Sequence, residues 1–525
     1  MKNELEFESK NNENYEVIPE KTEELDETYE TSNMLKQEVI LEHSFDLNST
    51  ELLKIFYKFA NIAIPNILVT VFPFIQERVS VHFMKVKYDN DALQEAMESG
   101  HIYAYLLIGS LMNSSMSGLK IVGTYYYSIG KFYIMGISLQ KARMLTFIAT
   151  IILCLIYFTF LHRIILFVGT VESVATPLNR YLIYLWIRAI FTVQVTFNLN
   201  LQLIVNKGYV CGVIAILATA FHYQLADLLI NKLNLGIDGA GLSLVLTKVF
   251  IIIVTMSYGT VYPFCPKASF WFNKDCTVDF YDYIQYTWSY CLNYCLEDYA
   301  YHIFLAAIAF WISPLQFSIY VLISNIYMVS NSFSSGVGQA TLILVSKKLV
   351  NTGVSMAKKI SIYCFMFGVI IVLFLCLLLI VVRKKLFYIF VEKEDLFSLS
   401  EPSLYILGFL ILMDIFQRVF CNILYSLGKQ FNVLIVSISQ VYFIQILMSI
   451  ILGKVLNLQT IGIWVAITIS YLFSCFQYLV MLQRINFENC RSQIYKLIDV
   501  QTEKYEFKSK EDYMRSIEEV DKTKS

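Results

Sequence analysis

Stretches of about 20 mostly apolar residues recur along this chain, from near residue 54 to near residue 484. A helix needs roughly that length to cross the hydrocarbon core of a bilayer. Only 16% of the 525 residues are charged and 57% are hydrophobic, whereas a soluble protein carries about 25% charged residues. The pattern therefore predicts an all-α polytopic membrane protein.

The apolar stretches predict twelve transmembrane helices in two pseudo-symmetric six-helix bundles. The spans are 54–84, 101–128, 142–161, 181–206, 209–230, 240–263, 286–311, 315–346, 359–382, 402–427, 431–452 and 461–484. The predicted regions are a tail (1–50), an N-terminal bundle (51–263), a linker (264–283), a C-terminal bundle (284–484) and a charged tail (485–525). We expect a disordered first tail, because its 14 acidic residues against 4 lysines leave it too polar to bury a core. An even number of spans places both tails on one side of the membrane, and we assign them to the cytosol.

Charge and cysteine usage exclude several classes of function. The formal net charge of −1 gives no indication of nucleic-acid binding. The 11 cysteines are scattered through apolar segments, as small buried side chains are. Cys291 and Cys295 lie one helical turn apart without a second pair of ligands nearby, so we expect neither a metal site nor a cofactor.

Two short segments repeat with six spans between them. LNLGIDG at 233–239 corresponds to LNLQTIG at 456–462, and LQKARML around Ala142 corresponds to MAKKISI around Ala357. Six intervening spans give corresponding points the same orientation in the membrane. Two parallel bundles of this kind are typical of transporters that hold a cavity between repeats.

The segment NYCLEDYAYH, residues 293–302, carries ionisable side chains inside the predicted seventh span. Such residues are costly within a bilayer and indicate a functional site by default. Asp298 and His302 are spaced to face each other, while Glu297 is spaced to face Tyr294 and Tyr301. The alternatives are an acid near the end of the span for Glu297, and a satisfied pair without a transport role for Asp298 and His302.

Six stretches, taken in chain order, carry a family resemblance. They are VSVHFM (79–84), SIGKFYIMGISLQKA (128–142), HYQLADLLINKLNLGIDGAGLS (222–243), CLEDYAYH (295–302), DIFQRVFCNILYSLGKQ (414–430) and GIW (462–464). Together they resemble the motifs of multidrug and toxic compound extrusion (MATE) transporters of the eukaryotic type. Arg418 and Asn422 stand where that pattern has glycines, and His302 stands where it has a second carboxylate. These departures indicate a divergent member.

The resemblance implies which residues bind substrate or protons. It places Glu297 at the transport carboxylate of the family and Asp414 at a carboxylate of the binding cavity, with Gln417 as a polar neighbour. The alternative for Asp414 is simple neutralisation by Arg418, one turn later. His302 would replace the missing carboxylate as a proton carrier.

Further cavity candidates are polar residues on apolar helices. The stripe Gln194, Asn198 and Gln202 either lines the cavity or binds neighbouring helices, and Asn325 has the same two interpretations. His222 matches a histidine of the family, although a lone histidine is more often a hydrogen-bonded core residue. Ser80 lies near the position where the prokaryotic branch often has an acid.

The resulting hypothesis is a secondary antiporter rather than an enzyme. It would export small organic, cationic compounds in exchange for protons, as a monomer in the plasma membrane or in a vacuolar or other organelle membrane. The alternatives are a flippase of the same broader fold for lipid-linked or amphipathic substrates, a transport-impaired member that only binds or senses, and a membrane-embedded enzyme. No phosphate loop, HExxH or nucleophile motif supports the enzyme alternative.

Overall fold

The computed structural model describes residues 49–88, 90–104, 110–167, 172–262, 265, 268, 274–299, 304–388, 394–500 and 502. The predictions for the first tail and for most of the linker lie outside these residues. Contacts group residues 52–525 into one unit. Of the other unit, residues 1–51, the structure describes only Ser49–Glu51, as the first residues of a helix.

The N-terminal half consists of seven helices that form six rods. They are α1 (Ser49–Tyr88), α2 (Asp91–Ala104), α3 (Ser110–Ser128), α4 (Phe132–Phe167), α5 (Glu172–Ile204), α6 (Tyr209–Ala226) and α7 (Gly236–Val261). Helices α2 and α3 lie on either side of residues 105–109, which the structure does not describe, and we count them together as the second rod. A π-helical turn, Asp227–Lys232, extends α6.

The C-terminal half repeats this arrangement after a 3₁₀ turn at Lys274–Thr277. Its helices are α8 (Phe280–Tyr299), α9 (Ala306–Ile312), α10 (Pro314–Asn351), α11 (Val354–Tyr388), α12 (Glu394–Ser426), α13 (Gln430–Ile438), α14 (Ile446–Ile450) and α15 (Gln459–Arg484). Helices α8 and α9 lie on either side of residues 300–303, which the structure does not describe, and we count them together as the seventh rod. The π-helical turns Ser439–Gln445 and Ile451–Val455 join α13 and α14 into the eleventh rod. A further helix, α16 (487–500), follows the last rod.

Each of the twelve predicted spans overlaps a helix or a helix pair of the described structure, and the helix ends differ from the predicted ends by up to ten residues. In the described part of the chain, nine helices contain a stretch long and apolar enough to cross a membrane. The second, seventh and eighth rods fall outside that set. The structure does not describe residues 105–109 of the second rod and 300–303 of the seventh, and α10 carries the polar run SNIYMVSNSFSS (324–335). The chain is a multi-pass integral membrane protein.

The internal repeat is visible in the turns that precede the sixth and twelfth rods. Asn234 and Asn457 both adopt left-handed backbone conformations, with φ of 56° and 53°. Short side-chain amides tolerate that region better than most side chains do. The amide of Leu235 donates to the carbonyl of Leu229 at 3.1 Å. The matching pair in the other half is Leu458 and Leu452, at 3.0 Å.

Helix packing repeats in the same way. Helix α5 packs on α7 in the N-terminal bundle, as α12 packs on α15 in the C-terminal bundle. Helix α3 packs on α4, as α10 packs on α11. The two bundles meet where α3 contacts α8 and α10. The Tyr125 hydroxyl of α3 also donates to the carbonyl of Ser426, the last residue of α12, at 2.8 Å.

Candidate functional site

Glu297 is the acid at the centre of the C-terminal bundle. It lies in the last turns of α8 with its side chain 15% exposed. Its Oε1 atom accepts from Asn293 Nδ2 at 3.1 Å and from Ser437 Oγ at 3.0 Å. Asn293 is one turn earlier on the same helix, and Ser437 comes from α13. Helices α8 and α13 therefore both position this carboxylate.

Helix α12 contributes a second acid and a cation to the same place. The Asp414 side chain is 1% exposed, and its Oδ1 atom lies 3.5 Å from Arg418 Nε. The other end of that guanidinium, Nη1, lies 3.6 Å from Glu297 Oε2. Because Asp414 and Arg418 are four residues apart, they share one face of α12. One guanidinium thus lies between carboxylates from the seventh and tenth rods.

A glycine on α10 allows this face of α12 to pack closely against α10. A Cβ atom built on Gly338 would lie 2.6 Å from Asn422 Nδ2 and 3.5 Å from Arg418 Cβ. Small residues allow membrane helices to approach this closely. Asn422 Nδ2 also donates to the Arg418 carbonyl at 2.7 Å. The close approach keeps the backbone of Arg418 in place.

Buried hydroxyl and amide groups surround the acids. Asn293 Nδ2 also donates to the Tyr425 hydroxyl at 2.9 Å, and the hydroxyls of Ser437 and Tyr478 lie 3.1 Å apart. Gln417 Nε2 donates to the Gln440 amide oxygen at 3.0 Å. The amide of Gln417 therefore joins the tenth rod to the eleventh.

Four of the predicted residues near Glu297 fall outside the description. Asp298 and Tyr294 lie within α8, but their side chains are not described. Tyr301 and His302 lie outside the described residues altogether. The predicted facing of Asp298 and His302 therefore stays a prediction.

The N-terminal bundle holds two further predicted residues in a buried hydrogen-bonded chain. His222 Nε2 lies 3.0 Å from Ser80 Oγ, and His222 Nδ1 lies 2.9 Å from Thr247 Oγ1. All three side chains are fully buried, and they come from α1, α6 and α7. Both ring nitrogens are occupied, as expected for a histidine that joins core helices.

The remaining cavity candidates are Gln194, Asn198, Gln202 and Asn325. Among the described residues, no contact joins them to Glu297. Gln202 is buried, and its Oε1 atom accepts from Cys211 Sγ on α6. Gln194 has a buried Oε1 atom without a hydrogen-bond partner among the described residues. Asn198 and Asn325 are half-buried on α5 and α10. Of the polar stripe on α5, only Gln202 binds a neighbouring helix among the described residues.

A second group of charges joins the first, second and fourth rods. Glu77 Oε1 lies 2.6 Å from Arg188 Nη1, and Glu77 Oε2 lies 3.4 Å from His101 Nδ1. Arg78 Nη1 lies 3.6 Å from Glu98 Oε1. The tight Glu77–Arg188 pair therefore belongs to the architecture of the N-terminal bundle.

One internal cavity of about 30 Å³ lies between α1, α5, α6 and α7. Lys248 and Gln76 contribute polar atoms to its lining, which is otherwise mostly apolar. Lys248 is 4% exposed. Among the described residues no acid forms an ion pair with it. This cavity lies in the N-terminal bundle, apart from the acids on α8 and α12.

Asn293, Ser437 and Tyr478 belong to the Glu297 site although the sequence did not point to them. The position of Asn293, four residues before Glu297, places both on one helix face and could have been recognised. Ser437 and Tyr478 follow Glu297 by 140 residues or more, and no local pattern links them to it. Neutralisation of Asp414 by Arg418 is the alternative that the sequence leaves open for this acid, whereas the second contact of Arg418, with Glu297, depends on the tertiary fold.

Two six-helix bundles with acids buried among their helices are typical of membrane transporters. The MatE family profile matches residues 290–451, which include Glu297, Asp414, Arg418 and Ser437. Over these residues the chain is similar to the MATE family of multidrug and toxic compound extrusion transporters.

The chain is also similar to complete relatives and to solved structures. Protein DETOXIFICATION 17 of Arabidopsis thaliana is 23% identical over 343 residues, which are 63% of this chain and 70% of that protein. Protein DETOXIFICATION 33 of the same plant is 22% identical over 391 residues, 71% of this chain and 76% of that protein. The fold is similar to the crystal structure of the eukaryotic MATE transporter AtDTX14, with a TM-score of 0.78 at 14% identity. That similarity covers 85% of this chain and 99% of AtDTX14.

A second solved structure supports the same fold. It is an outward-facing multidrug resistance MATE family transporter of the MOP superfamily. Its TM-score is 0.72 at 13% identity, and the match covers 86% of this chain and all of that one. At this level of identity the similarity concerns the fold alone.

Proposed function

We propose that this protein exports small organic cations in exchange for protons, and that Glu297 and Asp414 bind both. The observation that carries the proposal is the charge of the site in the C-terminal bundle. Two carboxylates pair with one guanidinium, at 3.6 Å and 3.5 Å. No second cation lies within ion-pair distance of either acid in the part of the chain that the structure describes.

The two carboxylates and one guanidinium leave one negative charge uncompensated, and a single bound cation can neutralise it. Charges interact more strongly inside a bundle than in water, because the surroundings have a low dielectric constant. One proton or one organic monocation would neutralise the site, and the two would compete for it. Such competition is sufficient for exchange, provided that the two bundles alternate access to the site.

The two acids have different access to an incoming ligand. The Glu297 side chain is 15% exposed, whereas that of Asp414 is 1% exposed. We expect the substrate cation to contact Glu297 first, and Asp414 to act through its effect on Arg418. The tyrosines Tyr425 and Tyr478 lie within one hydrogen bond of the groups that hold Glu297, and aromatic rings are suitable neighbours for an organic cation.

The flippase alternative needs basic groups that are available to a phosphate headgroup. Arg188 instead pairs with Glu77, and Arg78 pairs with Glu98. These ion pairs favour the exporter over the flippase.

The test is proton-gradient-driven uptake of a fluorescent organic cation into proteoliposomes. We expect uptake by the wild type to follow an imposed pH gradient. The uptake rate of Glu297→Gln should be lower by at least about tenfold, because the amide carries no negative charge that a cation could balance. Glu401→Gln is the matched control. Glu401 also pairs with an arginine, Arg383 at 3.4 Å, but lies at the start of α12. Absence of gradient-driven uptake by the wild type over a broad panel of cations would refute the exporter, and full activity of Glu297→Gln would refute the role of Glu297.

A further inference from the structure

Arg418 lies where a bound organic cation would lie, between Glu297 and Asp414. We infer that Arg418 is a tethered counter-ion that fixes the summed charge of Glu297, Asp414 and Arg418 at −1, and so restricts binding to ligands with a single positive charge. The inference rests on the proposed function, because it concerns the same site, and it makes Arg418 the residue that determines specificity.

Arg418 is attached to the site through its own helix. It lies on the same helix as Asp414, one turn away, and its side chain is 19% exposed. Asn422 Nδ2 donates to its carbonyl, and Gly338 on α10 leaves no room for a larger side chain against this part of α12. The charge of the guanidinium is therefore a permanent part of the site, since arginine remains protonated in proteins.

The two ion pairs that Arg418 forms with Glu297 and Asp414 are long. Its nitrogens lie 3.6 Å from Glu297 and 3.5 Å from Asp414, beyond the ~2.7–2.9 Å of a charge-assisted hydrogen bond. The equivalent pair of the N-terminal bundle, Arg188 with Glu77, is 2.6 Å long. Arg188 makes a close contact, whereas Arg418 is shared between two acids and can be displaced from Glu297 by a ligand.

The charge that remains after a ligand binds differs between a monocation and a dication. A monocation brings the total charge of ligand and site to zero. A dication would leave one positive charge uncompensated beside a guanidinium, in surroundings where an unpaired buried charge is costly. Without Arg418 the site would have a charge of −2, and the dication would become the better match.

The experiment measures equilibrium binding to the purified full-length protein in nanodiscs, without any gradient. The probes are 1-methyl-4-phenylpyridinium, a monocation, and 1,1′-dimethyl-4,4′-bipyridinium, a dication of nearly the same shape. The variants form a charge series: wild type and Arg418→Lys at −1, Arg418→Met at −2, Asp414→Asn at 0, and the double variant Arg418→Met with Asp414→Asn, again at −1.

We expect affinity to follow this series. The wild type and Arg418→Lys should prefer the monocation by at least about tenfold, and Arg418→Met should prefer the dication. Asp414→Asn should lose most of its affinity for both probes, and the double variant should regain the preference for the monocation. If Arg418→Met does not fold, Asp414→Asn and the double variant still decide the question. A merely structural Arg418 predicts no recovery in the double variant.

The outcomes separate this inference from the proposed function. An unchanged ratio of the two affinities in Arg418→Met overturns the inference, as does a double variant that binds no better than Asp414→Asn. Binding that follows the series, without gradient-driven transport by the wild type, supports the inference and refutes the exporter. Binding of either probe by Arg418→Met alone also overturns the inference, because Arg418 would then block the site instead of setting the charge that a ligand must carry. Binding by no variant overturns it.

Discussion

Arg188 and Arg418 each pair with a glutamate from the first rod of their own bundle, but the two pairs differ in geometry. Glu77 uses one oxygen for Arg188, at 2.6 Å, and the other for His101, at 3.4 Å. Both Glu77 and Arg188 have side chains that are less than one-fifth exposed. The ion pair between Glu77 and Arg188 therefore stabilises the packing of helices in the N-terminal bundle.

Glu77→Gln should destabilise the protein strongly. The amide cannot balance the charge of Arg188, and leaving one partner of a buried ion pair alone costs about 3–5 kcal/mol. We expect a clear drop in the thermal unfolding temperature of the purified protein in detergent. Glu98→Gln is the control, because Glu98 is 31% exposed and lies 3.6 Å from Arg78. Equal stability of the two variants would contradict a structural role for the Glu77 pair.

Lys248→Met should change stability in the opposite direction. Lys248 is almost fully buried beside the internal cavity, and no described acid forms an ion pair with it. Burying an unpaired charge is unfavourable, and methionine has a similar length without that charge. We expect the unfolding temperature of Lys248→Met to equal or exceed that of the wild type. A lower temperature would mean that the ammonium group makes a favourable contact.

At the scale of elements, α10 is the helix that brings the two bundles and the site together. A Cβ atom on Gly336 would lie 2.9 Å from the Ala63 carbonyl of α1, and Gly338 faces α12. Two glycines two residues apart thus let α10 approach helices of different bundles. This explains why a polar, glycine-containing segment lies in the middle of a membrane helix.

Gly338→Ala should destabilise the protein and disturb the site, because its Cβ atom would overlap Asn422 Nδ2 and press on Arg418. Overpacking of this kind typically costs about 1–3 kcal/mol. Gly408→Ala on α12 is the control, since a Cβ atom there would have no neighbour within 4 Å, and alanine favours helices. Thermal unfolding of both variants tests the difference. A Gly338→Ala variant as stable as Gly408→Ala would show that α10 and α12 pack less closely than described.

Much of the element-level architecture was predictable, and the reasons are local. Apolar length identified the rods, and the LNL segments marked turns whose backbone is the same in both halves. The seventh and tenth rods carried Glu297 and Asp414 as charges that an apolar helix would not otherwise tolerate. The site around them was less predictable, because Ser437 and Tyr478 reach Glu297 only through the packing of α13 and α15 against α8 and each other.

At the scale of the whole molecule, the segment predicted as a second tail begins as part of the folded protein. Phe487, Cys490, Ile494 and Ile498 recur at helical spacing on α16, and all four are buried. The Tyr495 hydroxyl donates to the Val350 carbonyl of α10 at 2.6 Å. Polar side chains on the opposite face made residues 485–525 read as a charged tail, although the apolar spacing of α16 was visible in the sequence.

Docking of α16 can be followed through its cysteine. The Lys358 ammonium lies over the Phe487 ring, and Lys429 Nζ donates to Gln493 Oε1 at 3.1 Å. Burial raises the pKa of the Cys490 thiol, against the opposing attraction of Lys429. A raised pKa leaves less reactive thiolate near neutral pH. Alkylation of Cys490 should therefore be slow near neutral pH. Its rate should continue to increase at pH values where the rate of an exposed thiol has already reached its maximum.

Tyr495→Phe should accelerate that alkylation. Loss of one hydrogen bond costs about 1 kcal/mol, which corresponds to roughly fivefold in the fraction of undocked α16 and hence in the rate of alkylation at fixed pH. Peptide mapping by mass spectrometry separates Cys490 from the ten other cysteines. Tyr405→Phe is the control, because the Tyr405 hydroxyl makes a 3.4 Å contact with Glu401 on α12, outside the surface that α16 covers. Val500→Cys, at the exposed end of α16, should react quickly and shows that the reagent is effective. If Tyr495→Phe then left the alkylation rate of Cys490 unchanged, the Tyr495 hydrogen bond would not limit the undocking of α16. The buried apolar face alone would then hold α16 on the bundle.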